Sequence, residues 1–89
     1  MVDFVEMYKG MADYMYDSKQ IAARIKNRAK QQGKSVKEML SDCHLGVNTV
    51  GNISRGGDIL TLNFAKIADY LDCSVDYLLG RTDNPEINR

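Results

Sequence analysis

Apolar residues recur along this chain three or four positions apart, which is the spacing of helices with one buried face. The clearest case is residues 19–32, where Ile21, Ile25 and Ala29 would point inward behind a cap at Ser18. The longest run of strand-like residues is too short and isolated to pair. The pattern therefore predicts an all-α protein, with further helices over residues 36–43, 47–54, 62–71 and 74–80.

Residues 35–57 predict two short helices that meet at a tight corner. Ser35 is a favourable cap for the first helix. His44 occupies the corner, where few residues other than glycine tolerate a positive φ. Gly46 is a candidate cap for the second helix. The second helix would turn two apolar residues inward, Val50 and Ile53.

The first residues of the chain predict an extra helix over positions 3–16. Its apolar stripe has 4-3-4 spacing and consists of Phe4, Tyr8, Met11 and Met15. Two interpretations stay open, because such a stripe can pack on the chain's own core or pair with a second copy as a dimerisation arm. The predicted organisation is a helical arm (residues 1–17), a folded domain (18–80) and a polar tail (81–89).

Length and charge favour a small binding module over a protein with a deep cleft. The chain has 89 residues, which predicts one domain. Its net charge is zero, but residues 19–57 carry eight basic and two acidic groups, a net charge of +6, whereas each flanking part carries −3. A local concentration of cations matters more for binding phosphates than the total charge.

Little in the composition favours catalysis or a bound cofactor. The single histidine, His44, has no triad, paired-carboxylate or phosphate-cradling arrangement around it in the sequence, so no enzyme and no small-molecule substrate are predicted. Cys43 and Cys73 are predicted to be reduced core thiols, with no metal site. Without a signal peptide or an apolar run of membrane-spanning length, the expected location is the cytoplasm, with no membrane contact.

The stretch from residue 21 to 85 resembles the phage-repressor-type (lambda-repressor-like, xenobiotic-response-element) helix-turn-helix family. Two segments carry the resemblance, SVKEMLSDCHLGVNTVGNISRGG at 35–57 and FAKIADYLDCSVDYLLGRTDNP at 64–85. The resemblance implies a five-helix domain that binds double-stranded DNA, usually as a two-fold homodimer. It makes residues 36–43 the bracing helix and residues 47–54 the recognition helix.

The resemblance also assigns roles to individual residues. Gly51 would allow DNA to approach closely. The residues expected to contact base edges are Val47, Asn48, Thr49 and Asn52. The residues expected to contact the DNA backbone, besides Gly51, are Lys34, Lys37 and Arg55. Because asparagine pairs with adenine and methyl groups contact thymine, this set predicts A·T steps in the site.

Two functions from different classes follow from the sequence. The first is sequence-specific DNA binding by a transcriptional regulator, expected to be a repressor of phage, mobile-element or bacterial origin. The alternative is a protein-interaction module with the same helix-turn-helix fold and without DNA binding, for example one that binds a partner protein as an antitoxin does. DNA affinity that falls steeply with salt would separate the first from the second.

Overall fold

Five helices make up the regular structure in the computed structural model, which describes residues 16–87. Their bounds are α1 Ser18–Gln31, α2 Val36–Asp42, α3 Thr49–Ser54, α4 Thr61–Tyr70 and α5 Val75–Leu79. No strand occurs within residues 16–87, so the predicted all-α class is confirmed for this part. The predicted arm stripe, formed by Phe4, Tyr8, Met11 and Met15, lies outside the described residues.

Helix α1 begins one residue earlier than predicted, and its cap is Asp17 rather than Ser18. The Asp17 carboxylate accepts a hydrogen bond from the Lys19 backbone N–H at 2.9 Å. A carboxylate is favoured at this position because its charge also interacts with the positive end of the helix dipole. At the other end, Gln32 follows the helix as its C-cap, and Gly33 takes a left-handed φ of 71°.

Helix α2 confirms Ser35 as the cap, since its hydroxyl accepts the Glu38 N–H at 3.0 Å. The helix ends at Asp42, one residue before the predicted end. His44 then adopts the predicted positive φ, 58°, and the next N–H, that of Leu45, returns to the Leu40 carbonyl at 2.8 Å. These hydrogen bonds close the helix and turn the chain towards α3.

Helix α4 differs most from the prediction at its start. It begins at Thr61, one residue before the predicted start, and Leu60 holds the cap position without a side-chain hydrogen bond. Its end is set by Asp72, a non-glycine residue with φ of 53°. By contrast, α5 has a local signal at each end, a Ser74 hydroxyl that accepts the Tyr77 N–H and a left-handed residue, Gly80, that closes it.

The core is built around α1, which packs against α2, α3 and α5, while α4 packs against α2 and α5. Its most deeply buried large side chains are Ile25, Met39, Ile67, Leu71 and Leu78. Both cysteines are free and buried in this core, as expected, and burial raises the pKa of each thiol. None of the helices described is long and apolar enough to cross a bilayer.

Two arginines of α1 connect this helix to the ends of other helices. Arg28 donates from Nε to the Leu71 carbonyl at 3.0 Å and from Nη2 to the Asp72 carbonyl at 2.9 Å. Arg24 donates to the Tyr77 carbonyl at 3.3 Å. The last carbonyls of a helix lack hydrogen-bond donors within it. The two guanidinium groups donate to carbonyls at such ends. Both side chains are therefore committed to the fold.

Candidate nucleic-acid interface

Helix α3 has one face in the core and one face in solvent. Val50 and Ile53 are buried as predicted, with 3% exposure each. At about 100° per residue, the positions opposite this pair are 48, 51, 52 and 55. Asn48, Asn52 and Arg55 are exposed there, and Gly51 is partly exposed. The predicted recognition helix thus presents a continuous polar surface.

The start of α3 lies two residues later than predicted, and Gly46 is not its cap. The Gly46 carbonyl instead accepts both the backbone N–H of Thr49 at 3.1 Å and its hydroxyl at 2.7 Å. Asn48 holds the cap position, but its amide makes no capping bond. The Thr49 hydroxyl proton is therefore used within the chain, whereas the Asn48 amide makes no hydrogen bond with the residues from 16 to 87 and can bind a ligand.

Val47 precedes the helix and is 77% exposed, the largest fraction among the exposed large apolar residues of the part described. Its position in the turn before α3 places it beside Asn48. A single exposed apolar residue is common on protein surfaces and needs no explanation in itself. Next to a polar face, however, its methyl groups can contact another methyl group, such as that of thymine.

Arg55 folds back over the exposed face of α3. Its Nη2 donates to the Asn52 Oδ1 at 2.6 Å. Its guanidinium also lies over Gly51, where an added Cβ would be 3.3 Å from Nη1 and 3.8 Å from Cζ. The space that Gly51 leaves open is thus occupied by the chain's own arginine. The two residues expected in different roles, Asn52 for bases and Arg55 for phosphate, form one group.

The two lysines expected to contact the DNA backbone differ in the partners that they have within the fold. Lys34, between α1 and α2, forms an ion pair with Glu38 at 3.5 Å, and its Nζ lies 5.9 Å from the centre of the Tyr70 ring. Lys37, in the first turn of α2, is exposed and makes no side-chain hydrogen bond or ion pair with residues 16–87. Lys37 can therefore bind an anion directly, whereas Lys34 must first release the Glu38 carboxylate.

A hydrogen bond that sequence reasoning missed fixes α2 against α4. The Tyr70 hydroxyl donates to the Asp42 carboxylate at 2.6 Å. This bond raises the pKa of Tyr70 to about 12. The partners stand 28 positions apart, and nothing in the local pattern of either helix indicates the contact. The bond connects the C-terminal turn of the predicted bracing helix to the body of the domain.

A second surface, also missed from the sequence, is an apolar groove on the side where α1 begins. Its volume is about 570 Å³. Its apolar lining includes Tyr16, Ile21, Ile53, Ile59, Phe64 and Leu79. Two more large apolar side chains, Leu60 and Leu62, are about three-quarters exposed at the start of α4.

Comparison of the chain with known protein families, with curated proteins and with solved structures found no match.

Proposed function

We propose that this protein binds double-stranded DNA in a sequence-specific manner and acts as a regulator of the phage-repressor-type helix-turn-helix class, without catalytic activity of its own. The observation that supports the proposal most is the outward face of α3, where Asn48, Asn52 and Arg55 project together, opposite Val50 and Ile53. A short helix with polar groups on one face and an apolar anchor on the other fits the major groove.

Two lysines at the start of α2 support the binding of phosphates. Lys37 is exposed in the first turn of α2, and Lys34 stands two residues before that helix begins. A phosphate oxygen can replace the Glu38 carboxylate that Lys34 now contacts, because that ion pair is solvent-exposed and therefore weak. Arg24 and Arg28 are left out of the proposal, since both already serve helix ends.

Two copies acting together would give the site useful selectivity. Each good base contact discriminates by roughly 1–3 kcal/mol, so one copy with two or three contacts is weakly selective. A two-fold dimer would double the contacts and place half-sites about 34–36 Å apart. The arm residues outside the described part, with their apolar stripe, are the proposed pairing element.

The test is a fluorescence-anisotropy titration of labelled duplexes at several salt concentrations. DNA affinity is expected to fall steeply between about 50 and 200 mM salt, and Lys37→Ala should lower affinity for all duplexes and reduce the salt slope by about one unit. Lys19→Ala is the matched control. It removes an exposed lysine in the first turn of α1. That turn lies roughly 20 Å from the other end of the helix, which is the end that Lys34 follows. Equal losses from both variants would contradict the assignment of Lys37.

The alternative is a protein-interaction module of the same helical fold without DNA binding. The observation that favours it is the exposure of Leu60 and Leu62 beside a groove that is largely apolar. Large exposed apolar groups of this kind often mark contacts with another protein. Failure of every duplex to bind at low salt would favour this alternative over the proposal.

A further inference from the structure

We infer that Arg55 is a base-contacting residue held by Asn52, and that the pair selects guanine rather than adenine. The inference rests on the proposed function, because it concerns how the outward face of α3 discriminates between base pairs. It departs from the expectation that Asn52 pairs with adenine and that Arg55 holds phosphate.

The first step is the position of the guanidinium. It lies over Gly51, within contact distance of an added Cβ, instead of extending away from the end of the helix. Gly51 is opposite the buried residues Val50 and Ile53, so a group that covers it stands on the face that would meet the groove floor. A guanidinium at this position reaches base edges more directly than the phosphates at the groove's rim.

The second step is the hydrogen-bonding capacity that the pair has left. Adenine recognition by asparagine needs the amide oxygen as acceptor for the adenine amino group and the amide nitrogen as donor to N7. The Asn52 oxygen already accepts from Arg55 at 2.6 Å. This bond uses one of the two lone pairs of that oxygen, and most of what the pair offers outward is donors, the Asn52 NH₂ and the remaining N–H groups of Arg55.

The third step is the match with a base. In the major groove, guanine presents two adjacent acceptors, O6 and N7, and no donor, whereas adenine presents an acceptor beside a donor. A surface made mainly of donors matches guanine, and its guanidinium N–H groups meet the adenine amino group unfavourably. The planar fork of arginine fits O6 and N7 with two parallel hydrogen bonds in a fixed geometry, whereas a lysine ammonium contacts the same atoms from a flexible stem without that fixed geometry. Asn52 is the positioning residue for Arg55, and Gly51 leaves room for the Arg55 guanidinium.

The experiment begins with selection of bound duplexes from a randomised pool by the wild-type chain and by Arg55→Lys. Wild type is expected to enrich guanine at one position of each half-site and to prefer it roughly 5- to 150-fold over adenine there. Arg55→Lys keeps the charge but not the rigid fork, so it should lose most of this preference while the salt dependence of binding stays the same. A phosphate clamp would behave differently, since the lysine variant would then retain the base preference.

Modified bases locate the contact in the major groove. Replacing the selected guanine with 7-deazaguanine removes N7 and should weaken wild-type binding much more than binding by Arg55→Lys. Replacing it with hypoxanthine, paired with cytosine, removes only the minor-groove amino group and is the matched control, with no change expected. Asn52→Ala should reduce the guanine preference. Gly51→Ala should reduce it too, because the added Cβ displaces the guanidinium, and alanine is compatible with the helix.

The outcomes separate this inference from the proposed function. If wild type binds duplexes with steep salt dependence but selects no guanine, or if Arg55→Lys keeps the selection, the inference fails and the proposed function stands. If wild type binds no duplex at low salt, both fail together.

Discussion

Replacement of Arg28 by alanine would remove the side chain that connects α1 to the end of α4. Nε donates to the Leu71 carbonyl at 3.0 Å in a partly buried bond, and Nη2 donates to the Asp72 carbonyl at 2.9 Å in an exposed one. A hydrogen bond to a charged group contributes roughly 1.5–3 kcal/mol, and an exposed one contributes towards the lower end or less. The expected loss for Arg28→Ala is therefore about 2 kcal/mol in the free energy of unfolding.

Urea unfolding of the whole chain, followed by far-ultraviolet circular dichroism, measures this loss. A loss of this size should lower the urea midpoint by about 1–2 M and the melting temperature by roughly 8–16 °C. Lys30→Ala is the matched control, since it truncates an exposed residue two positions along the same helix and should change stability by less than about 0.5 kcal/mol. Arg28→Lys keeps the charge without the fork and should fall between them. Coincident unfolding curves for the two alanine variants would refute the role given to Arg28.

Two further predictions concern local features of the fold. The pKa of Tyr70 is raised from 10.0 to about 12 by its hydrogen bond to Asp42, so its contribution to stability should be complete below pH 10 and be lost as the pH rises towards 12. Asp42→Ala should therefore move the last step of a tyrosine absorbance titration to lower pH, and an unchanged titration would contradict this. Gly80→Ala should destabilise the chain by roughly 1–2 kcal/mol, because Gly80 has φ of 85°, in the left-handed region. Gly46→Ala, where φ lies outside that region and an added Cβ has only one neighbour within 4 Å, should have little effect in the same denaturation assay.

The outward face of α3 was only partly predictable from its sequence. The burial of Val50 and Ile53 follows from their spacing, and it determines which positions face solvent. Arg55 and Asn52 are three residues apart, and side chains at this spacing are neighbours on a helix surface. Their contact was therefore predictable from the sequence. The later start of α3 was not predictable, because it depends on Thr49 donating twice to the Gly46 carbonyl.

The sequence by itself determined the features that arise from neighbours along the chain. The five apolar periodicities, the caps at Ser35 and Ser74, and the left-handed turns at His44 and Gly80 depend on groups only a few residues apart. Such interactions form in much the same way wherever the segment lies in a protein, so they can be predicted without knowledge of the fold.

The tertiary structure decided which polar groups meet across the fold. Arg24 and Arg28 find their carbonyl partners 43 to 53 residues away, and Tyr70 finds Asp42 at a separation of 28. Before folding, these arginines resemble any cation on an exposed helix face. They bond to carbonyl groups only because α1 lies close to the ends of α4 and α5. Hydrogen bonds at such sequence separations depend on how the helices are arranged in space.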